Sequence, residues 1–74
     1  MIITIKLFAT LRDGRFDEAE MLFTEGASVR DALETLALGS DEAAIIFVNG
    51  RHADPETILS PGDILSIFPP IGGG

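Results

Sequence analysis

The sequence predicts a single α+β domain in which one helix covers one face of a mixed sheet of about four to five strands. Three observations favour this fold class: short apolar runs bounded by turn residues, one longer stretch with helical spacing and marked ends, and a hydrophobic content of 46% in 74 residues. That content is enough for a compact core and argues against disorder. The length allows one domain at most.

The first predicted strand covers residues 2–8, where apolar and polar residues alternate from Ile3 to Leu7. Because successive side chains of a strand point to opposite faces, the apolar set lies on one face of the sheet. Turn-forming residues follow at 12–15. Residues 19–23 then form a shorter second strand, which returns as a hairpin.

The predicted helix begins after Ser28, whose side chain can cap the first turn, and runs for about eleven residues to a left-handed stop at Gly39. A helix of this length is marginal in isolation, so it must pack on the sheet. Its apolar residues follow the i, i+3, i+4, i+7 spacing of one buried stripe: Val29, Ala32, Leu33, Leu36 and Ala37.

The second half of the chain predicts another hairpin and a final strand. Ile45–Val48 leads into an Asn-Gly turn at residues 49–50 and a short return at residues 51–53. A Ser-Pro-Gly-Asp turn at residues 60–63 precedes the last strand, Ile64–Phe68.

The resulting order is strand, strand, helix, strand, short strand, strand, which is the β-grasp or ubiquitin-like plan. We expect a domain at residues 1–68 and a flexible functional tail at residues 69–74. The single helix leaves one sheet face uncovered, while Ile45–Val48 and Ile64–Phe68 are apolar at nearly every position. The open face is therefore predicted to be a docking surface, unless loops or the tail cover it or the apolar residues are scattered.

Composition excludes several classes of function. The net charge of −7 has the wrong sign for nucleic acid or anionic lipid, and it fits a basic protein partner or simply keeps a small protein in solution. Without cysteine the chain has no disulfide, thiolate metal site or persulfide of its own. No apolar run approaches the roughly 20 residues of a membrane span, and we expect a cytoplasmic protein.

The tail reads Pro-Pro-Ile-Gly-Gly-Gly, and each part has a physical consequence. The two prolines fix the backbone and favour extended geometry, so the tail is expected to project from the sheet. Six residues reach roughly 20 Å, enough to thread into the active site of a neighbouring protein. The glycines lack Cβ and can pass through a narrow channel, although three glycines taken alone also fit a frayed chain end.

A free α-carboxylate at Gly74 is a poor electrophile and needs activation. Transfer of AMP from ATP would supply a good leaving group, and attack by sulfur would then leave a thiocarboxylate on a mobile arm. Glycine suits this step because its α-carbon offers almost no hindrance.

The whole chain resembles the sulfur-carrier (MoaD/ThiS) family of small β-grasp proteins. The motifs that carry the resemblance are Phe-Ala-Thr-Leu-Arg at residues 8–12, Val-Asn-Gly at 48–50, Leu-Ser-Pro-Gly-Asp at 59–63 and the ending at 68–74. The Phe-Pro-Pro-x-x-Gly-Gly ending is the most specific, and it resembles the small subunit of molybdopterin synthase more than the thiazole sulfur carrier. A third glycine stands where a bulkier residue more often precedes the final pair, which leaves open carriers for tungsten cofactors, tRNA thiolation or thiamine thiazole.

The resemblance implies a non-catalytic, sulfur-donating subunit with no acid, base or metal of its own. A ubiquitin-activating-like adenylyltransferase would use ATP and Mg²⁺ to activate Gly74, and the large subunit of molybdopterin synthase would receive the tail. A protein modifier that joins Gly74 to lysines remains the alternative from another class, and an interaction domain with an inert terminus is the simplest one. The tail contacts implied for these partners are Phe68, Pro69, Pro70, Ile71, Gly72 and Gly73.

Other polar residues give weaker signals. The single histidine, His52, has no cysteine or second histidine for a metal site and is expected to be a polar hairpin residue. Arginines 12, 15 and 51 are either interface anchors or solvated charges. Lys6 is the sole lysine. The acidic pairs at residues 18 and 20 and at residues 41 and 42 are interpreted as solvated faces.

Overall fold

The computed structural model describes residues 1–70. Within them the chain forms five strands, one α-helix and one short 3₁₀ helix. In chain order these are β1 (Ile2–Leu7), the 3₁₀ helix (Ala9–Arg12), β2 (Glu18–Leu22), α1 (Val29–Thr35), β3 (Ile45–Val48), β4 (Arg51–Ala53) and β5 (Ile64–Phe68).

The five strands form one mixed sheet in the order β2-β1-β5-β3-β4. The first and last strands, β1 and β5, run parallel at its centre, and the other neighbouring pairs are antiparallel. This arrangement confirms the predicted β-grasp fold. The turn predicted at residues 12–15 is preceded by the 3₁₀ helix, which the sequence analysis did not anticipate.

One side of the sheet and one side of α1 share a single apolar core. On β1 the burial alternates, so that Ile3, Ile5 and Leu7 are almost completely buried, as predicted. Val29 and Leu33 of α1 belong to the same cluster. Burial of each such side chain stabilises the fold by about 1.5–3 kcal/mol, which explains how a seven-residue helix persists.

The start of α1 is fixed by a reciprocal cap, which confirms the predicted role of Ser28. The Asp31 backbone N–H donates to Ser28 Oγ at 3.3 Å, and the Ser28 backbone N–H donates to Asp31 Oδ2 at 2.8 Å. Two N–H groups that have no partner within the helix are thereby satisfied.

The end of α1 differs from the prediction. The left-handed residue is Ala37, with φ of +56°, and not Gly39. The Leu38 N–H donates to the Leu33 carbonyl at 2.9 Å and the Ala37 N–H to the Glu34 carbonyl at 3.1 Å, which together form a Schellman motif. The early stop turns Leu38 into the core, where it is 5% exposed, and leaves Ala37 outside the predicted buried stripe.

Gly39 is not the left-handed stop that the sequence predicted, because its φ is not positive. A Cβ atom at this position would lie 2.7 Å from Asp41 Oδ1, a contact that rotation of the exposed Asp41 side chain would relieve. The Gly39 carbonyl also accepts N–H bonds from Glu42 and Ala43 at 3.0 Å. Packing of the chain after the helix has therefore overridden the local preference for glycine at the stop.

The two predicted turns of the second half are confirmed, and a side chain joins them. Asn49 and Gly50 have φ of +53° and +80°, as the tight hairpin between β3 and β4 requires. Asn49 Nδ2 donates to Asp63 Oδ1 at 2.8 Å, and Asn49 Oδ1 accepts the Ile64 N–H at 2.8 Å. This clamp holds the hairpin turn against the start of β5.

Candidate functional site

The face of the sheet opposite α1 carries a line of aromatic side chains across four strands and strand ends. The Phe8 and Phe68 rings stack with centroids 4.1 Å apart and planes 8° apart. Phe47 meets the edge of Phe68 at 5.8 Å, and His52 meets Phe47 at 5.3 Å. We call Phe8, Phe68, Phe47 and His52 the aromatic row. Its three phenylalanines are partly buried on the face away from α1, which suits contact with another protein.

Arg12 extends the aromatic row by one positive charge. Its guanidinium carbon lies 5.7 Å from the Phe8 ring centroid, within cation–π range. The 3₁₀ helix places it there, because Leu11 is buried and Arg12 Nε donates to the Leu7 carbonyl at 2.9 Å. The helix begins at Ala9, a non-glycine residue with φ of +54°. Backbone strain of this kind often accompanies functional positions.

The tail leaves the sheet at the end of this row. The Phe68 carbonyl accepts the Ala44 N–H at 3.1 Å, which is the last backbone hydrogen bond of β5 toward the tail. Pro69 is partly buried and Pro70 is exposed. Both line a cleft of about 260 Å³, together with Thr10, Leu11, Arg15, Asp41 and Glu42.

The structure places three of the predicted site residues beside one another: Phe68, Pro69 and Pro70. Phe68 belongs to the aromatic row, and the prolines continue from it into the cleft. The predicted reactive terminus Gly74 and the contacts Ile71, Gly72 and Gly73 lie outside the described residues. The predicted docking face lies on the side of the sheet away from α1 and has an aromatic centre, and its role in docking stays a prediction.

The remaining candidates take separate places. His52 contacts Phe47, and residues 1–70 contain no group of three side chains that could hold a metal ion. Lys6 lies on the open face between Glu18 of β2 and Ser66 of β5. Arg15 donates to the Leu11 carbonyl beside the tail. None of these residues forms an acid–base pair with another.

The sequence did not predict that the rings of the aromatic row contact one another, although Phe8 and Phe68 each belong to a motif described above. The parallel register aligns Leu7 with Ile67, so the residues that follow them, Phe8 and Phe68, stack. The antiparallel register of β3 with β5 brings Phe47 opposite Ser66, two residues from Phe68 and on the same face of the sheet. The alternation of side chains along β3 could have placed Phe47 on the open face, because it falls between inward-facing positions. Which rings meet, however, depends on the register of the strands.

Within residues 1–70, no helix is long and apolar enough to cross a bilayer. A family model described as the ThiS family matches residues 5–74.

Solved structures agree with this match over nearly the whole chain. A Pyrococcus furiosus protein, provisionally named molybdopterin converting factor subunit 1, is 32% identical, with 96% of this chain and 99% of that chain covered and a TM-score of 0.78. Small archaeal modifier protein 1 of Haloferax volcanii is 27% identical over 95% of this chain and 98% of its own, with a TM-score of 0.76.

A more distant structure shares the fold. It is a complex of subunits 1 and 2 of the molybdopterin-converting factor of Helicobacter pylori, 23% identical with full coverage of both chains and a TM-score of 0.64. The family match, the five-stranded sheet with one helix and these likenesses agree. The chain belongs to the ThiS family, the MoaD/ThiS type of ubiquitin-like sulfur carriers and modifiers.

Proposed function

We propose that this protein is a sulfur carrier for molybdopterin biosynthesis, acting through the α-carboxylate of Gly74 as the small subunit of molybdopterin synthase. The observation that carries the proposal is the continuity of the aromatic row with the root of the tail at Phe68 and Pro69. A partner seated on the row would receive the chain segment that leads to Gly74. Docking and delivery of the reactive group then depend on one surface.

The chemistry requires two steps at the tail. An oxygen of the Gly74 carboxylate attacks the α-phosphorus of ATP and displaces pyrophosphate, giving an acyl-adenylate. Sulfide then attacks the carbonyl carbon, and AMP leaves with the former carboxylate oxygen, so that a thiocarboxylate remains. This chain contributes the carboxylate and the docking surface, while the activating enzyme supplies ATP, Mg²⁺ and the catalytic groups.

Two partners follow from the proposal, both in the cytoplasm. The first is a ubiquitin-activating-like adenylyltransferase, and the second is the large subunit of the synthase, which accepts the tail. The name of the Pyrococcus furiosus relative supports the molybdopterin assignment. Arg12 beside Phe8 would add a cation at the rim of either interface, where exposed charges mainly govern association rate and specificity.

A protein modifier is the second candidate function, favoured by the likeness to the Haloferax volcanii small archaeal modifier. Both functions begin with adenylation of Gly74 and differ in the product. The carrier ends with a thiocarboxylate, whereas the modifier ends with an isopeptide bond to a lysine. The Pro-Pro pair at residues 69–70, which resembles the molybdopterin type, favours the carrier.

The deciding measurement is the intact mass of the full chain after incubation with ATP, Mg²⁺, sulfide and a candidate activating enzyme already shown to act on another carrier. We expect a gain that corresponds to replacing one oxygen by sulfur. Deletion of Gly74, or one added residue after it, should abolish the gain while the circular dichroism spectrum stays unchanged. No mass gain, or full activity of the extended variant, would contradict the proposal.

The docking role of the aromatic row is tested separately. Phe47→Ala removes a ring from the row without touching the tail and should weaken binding to the activating enzyme, raising the dissociation constant roughly fivefold or more for an interface aromatic. Ile2→Ala is the matched control, because Ile2 lies on the same face at the far end of β1 and is half exposed. Equal effects of the two variants would show that the row is not the contact surface.

The carrier and the modifier are then distinguished by adding the large synthase subunit and a pterin precursor to the thiocarboxylated protein. Loss of the added sulfur mass, with no covalent adduct on a denaturing gel, is expected for the carrier. An isopeptide adduct in place of sulfur transfer would favour the modifier.

A further inference from the structure

The outer edge of β2 is a second surface of the molecule that the tail chemistry does not use. Among residues 1–70, β2 pairs with β1 alone and forms one border of the sheet. Met1 and Phe23 exchange backbone bonds, with the Phe23 N–H donating to the Met1 carbonyl at 2.8 Å and the Met1 amino group to the Phe23 carbonyl at 2.6 Å. This pair fixes which backbone groups face inward along the whole strand.

In an antiparallel ladder the residues that exchange bonds recur at every second position. From the Met1 and Phe23 pair, Met21 and Ala19 therefore direct their N–H and C=O groups toward β1. The backbone groups of the residues between them point outward. The free edge thus offers the N–H and C=O groups of Glu18, Glu20 and Leu22 at the spacing of a strand.

The side chains at these three positions give the edge a chemical character. Glu18 and Glu20 are exposed, and neither takes part in an ion pair within residues 1–70. Leu22 is 78% exposed, the most exposed large apolar side chain among the described residues. Beyond Leu22 a groove of about 480 Å³ separates the end of β2 from α1, and it contains two more carboxylates, Glu25 and Asp31.

We propose that the outer edge of β2 binds an extended, basic segment of a partner protein by strand addition. Main-chain bonds to Glu18, Glu20 and Leu22 provide the attachment, and side chains at alternate positions provide the selectivity. A lysine or arginine lies opposite each glutamate, and an apolar residue covers Leu22. The net charge of −7 favours approach of such a segment over an acidic one.

A second copy of this chain fits the edge poorly. Two β2 strands paired antiparallel would place glutamates of one copy close to glutamates of the other, and like charges on facing strands are destabilising. The glutamates therefore block self-association, as charges on edge strands commonly do. They leave pairing with a basic strand unopposed.

The edge is separated from the strand that carries the tail. β1 lies between β2 and β5, so the edge is about 10 Å from the strand that carries the tail. The proposal does not depend on the chemistry at Gly74, and failure of either proposal leaves the other standing.

The test is an NMR titration of the full-length, ¹⁵N-labelled protein with a nine-residue peptide whose centre is Leu-Thr-Lys-Thr-Lys. In antiparallel pairing its leucine faces Leu22 and its two lysines face Glu20 and Glu18. We expect saturable shifts of these three backbone amides at millimolar peptide. A peptide of the same composition with adjacent lysines should bind more weakly, because one lysine then points to the opposite face.

Backbone methylation of the peptide separates strand addition from simple charge attraction. N-methylation of the two lysines removes N–H groups that face the edge and should abolish the shifts. N-methylation of the two threonines removes N–H groups that face away and should preserve them. Equal binding of both methylated peptides would overturn strand addition.

Variants of the protein test the selectivity. Glu18→Gln and Glu20→Gln should each raise the dissociation constant about two- to fivefold, as expected for an exposed ion pair. Glu34→Gln, on the exposed side of α1, is the control and should leave it unchanged. Absence of saturable shifts, shifts centred on the aromatic row, or concentration-dependent shifts of β2 without peptide would each refute the basic-strand proposal.

Discussion

Replacing Phe8 and Phe68 by leucine, singly and together, measures how strongly the two rings are coupled. Phe8 contacts one ring of the aromatic row, whereas Phe68 contacts two, those of Phe8 and Phe47. At about 1 kcal/mol for each aromatic pair, Phe8→Leu should lower the free energy of unfolding by about 1 kcal/mol and Phe68→Leu by about 2 kcal/mol. The double variant loses the same two pairs, about 2 kcal/mol and not 3.

The expected coupling energy is therefore about 1 kcal/mol. The contact of Arg12 with Phe8 is lost in the single and in the double variant, so it cancels from the cycle. Urea denaturation followed by far-ultraviolet circular dichroism is the suitable assay, because the chain contains no tryptophan or tyrosine. Phe23→Leu serves as the control, since Phe23 packs against the core and has no ring contact with Phe68 among those observed.

The losses in free energy of unfolding caused by Phe23→Leu and by Phe68→Leu should add in the double variant. A coupling energy below about 0.3 kcal/mol between Phe8 and Phe68, the ordinary limit of additivity, would refute the idea that the stacked rings act as a unit.

Three further predictions concern the fold that supports the site. Ala37→Gly relieves a left-handed backbone and should raise the free energy of unfolding by about 0.5–1 kcal/mol. Ala44→Gly, at a residue without positive φ, should lower it by a similar amount. A melting temperature that falls in both variants would contradict the strain at Ala37. Asn49→Gly keeps the turn geometry but removes both side-chain hydrogen bonds, so the free energy of unfolding should fall by about 1–2 kcal/mol. An unchanged midpoint of urea denaturation would contradict this. Ser28→Ala should lower the free energy of unfolding by about 1 kcal/mol, and Ser28→Asp should lower it much less. Equal melting temperatures for the two variants would disprove this.

The sequence predicted the strands well where a turn residue has little conformational choice. Asn49, Gly50 and Gly62 occupy left-handed backbone, which few other residues adopt, so the limits of β3, β4 and β5 followed from local chemistry. The alternation from Ile3 to Leu7 likewise gave the buried face of β1. A single sequence reveals the elements whose limits are set by residues close together along the chain.

The features that the sequence did not reveal depend on contacts between distant residues. The stop of α1 at Ala37 is set by burial of Leu38, although glycine two residues later has the better local preference. The meeting of Phe8, Phe47 and Phe68 depends on the registers of β1 and β3 with β5. For the candidate site, the sequence indicated the tail and an open apolar face, but it could not show that the two adjoin.

The central position of β5 has a consequence for synthesis of the protein on the ribosome. Until Ile64–Phe68 emerges, the hairpins β1–β2 and β3–β4 have no strand in common, and an isolated hairpin is marginally stable at best. The sheet therefore closes late, when the segment directly before the tail takes its place. A nascent or truncated chain lacking β5 has no Phe68 with which to complete the aromatic row, so an activating enzyme that docks there would select finished molecules.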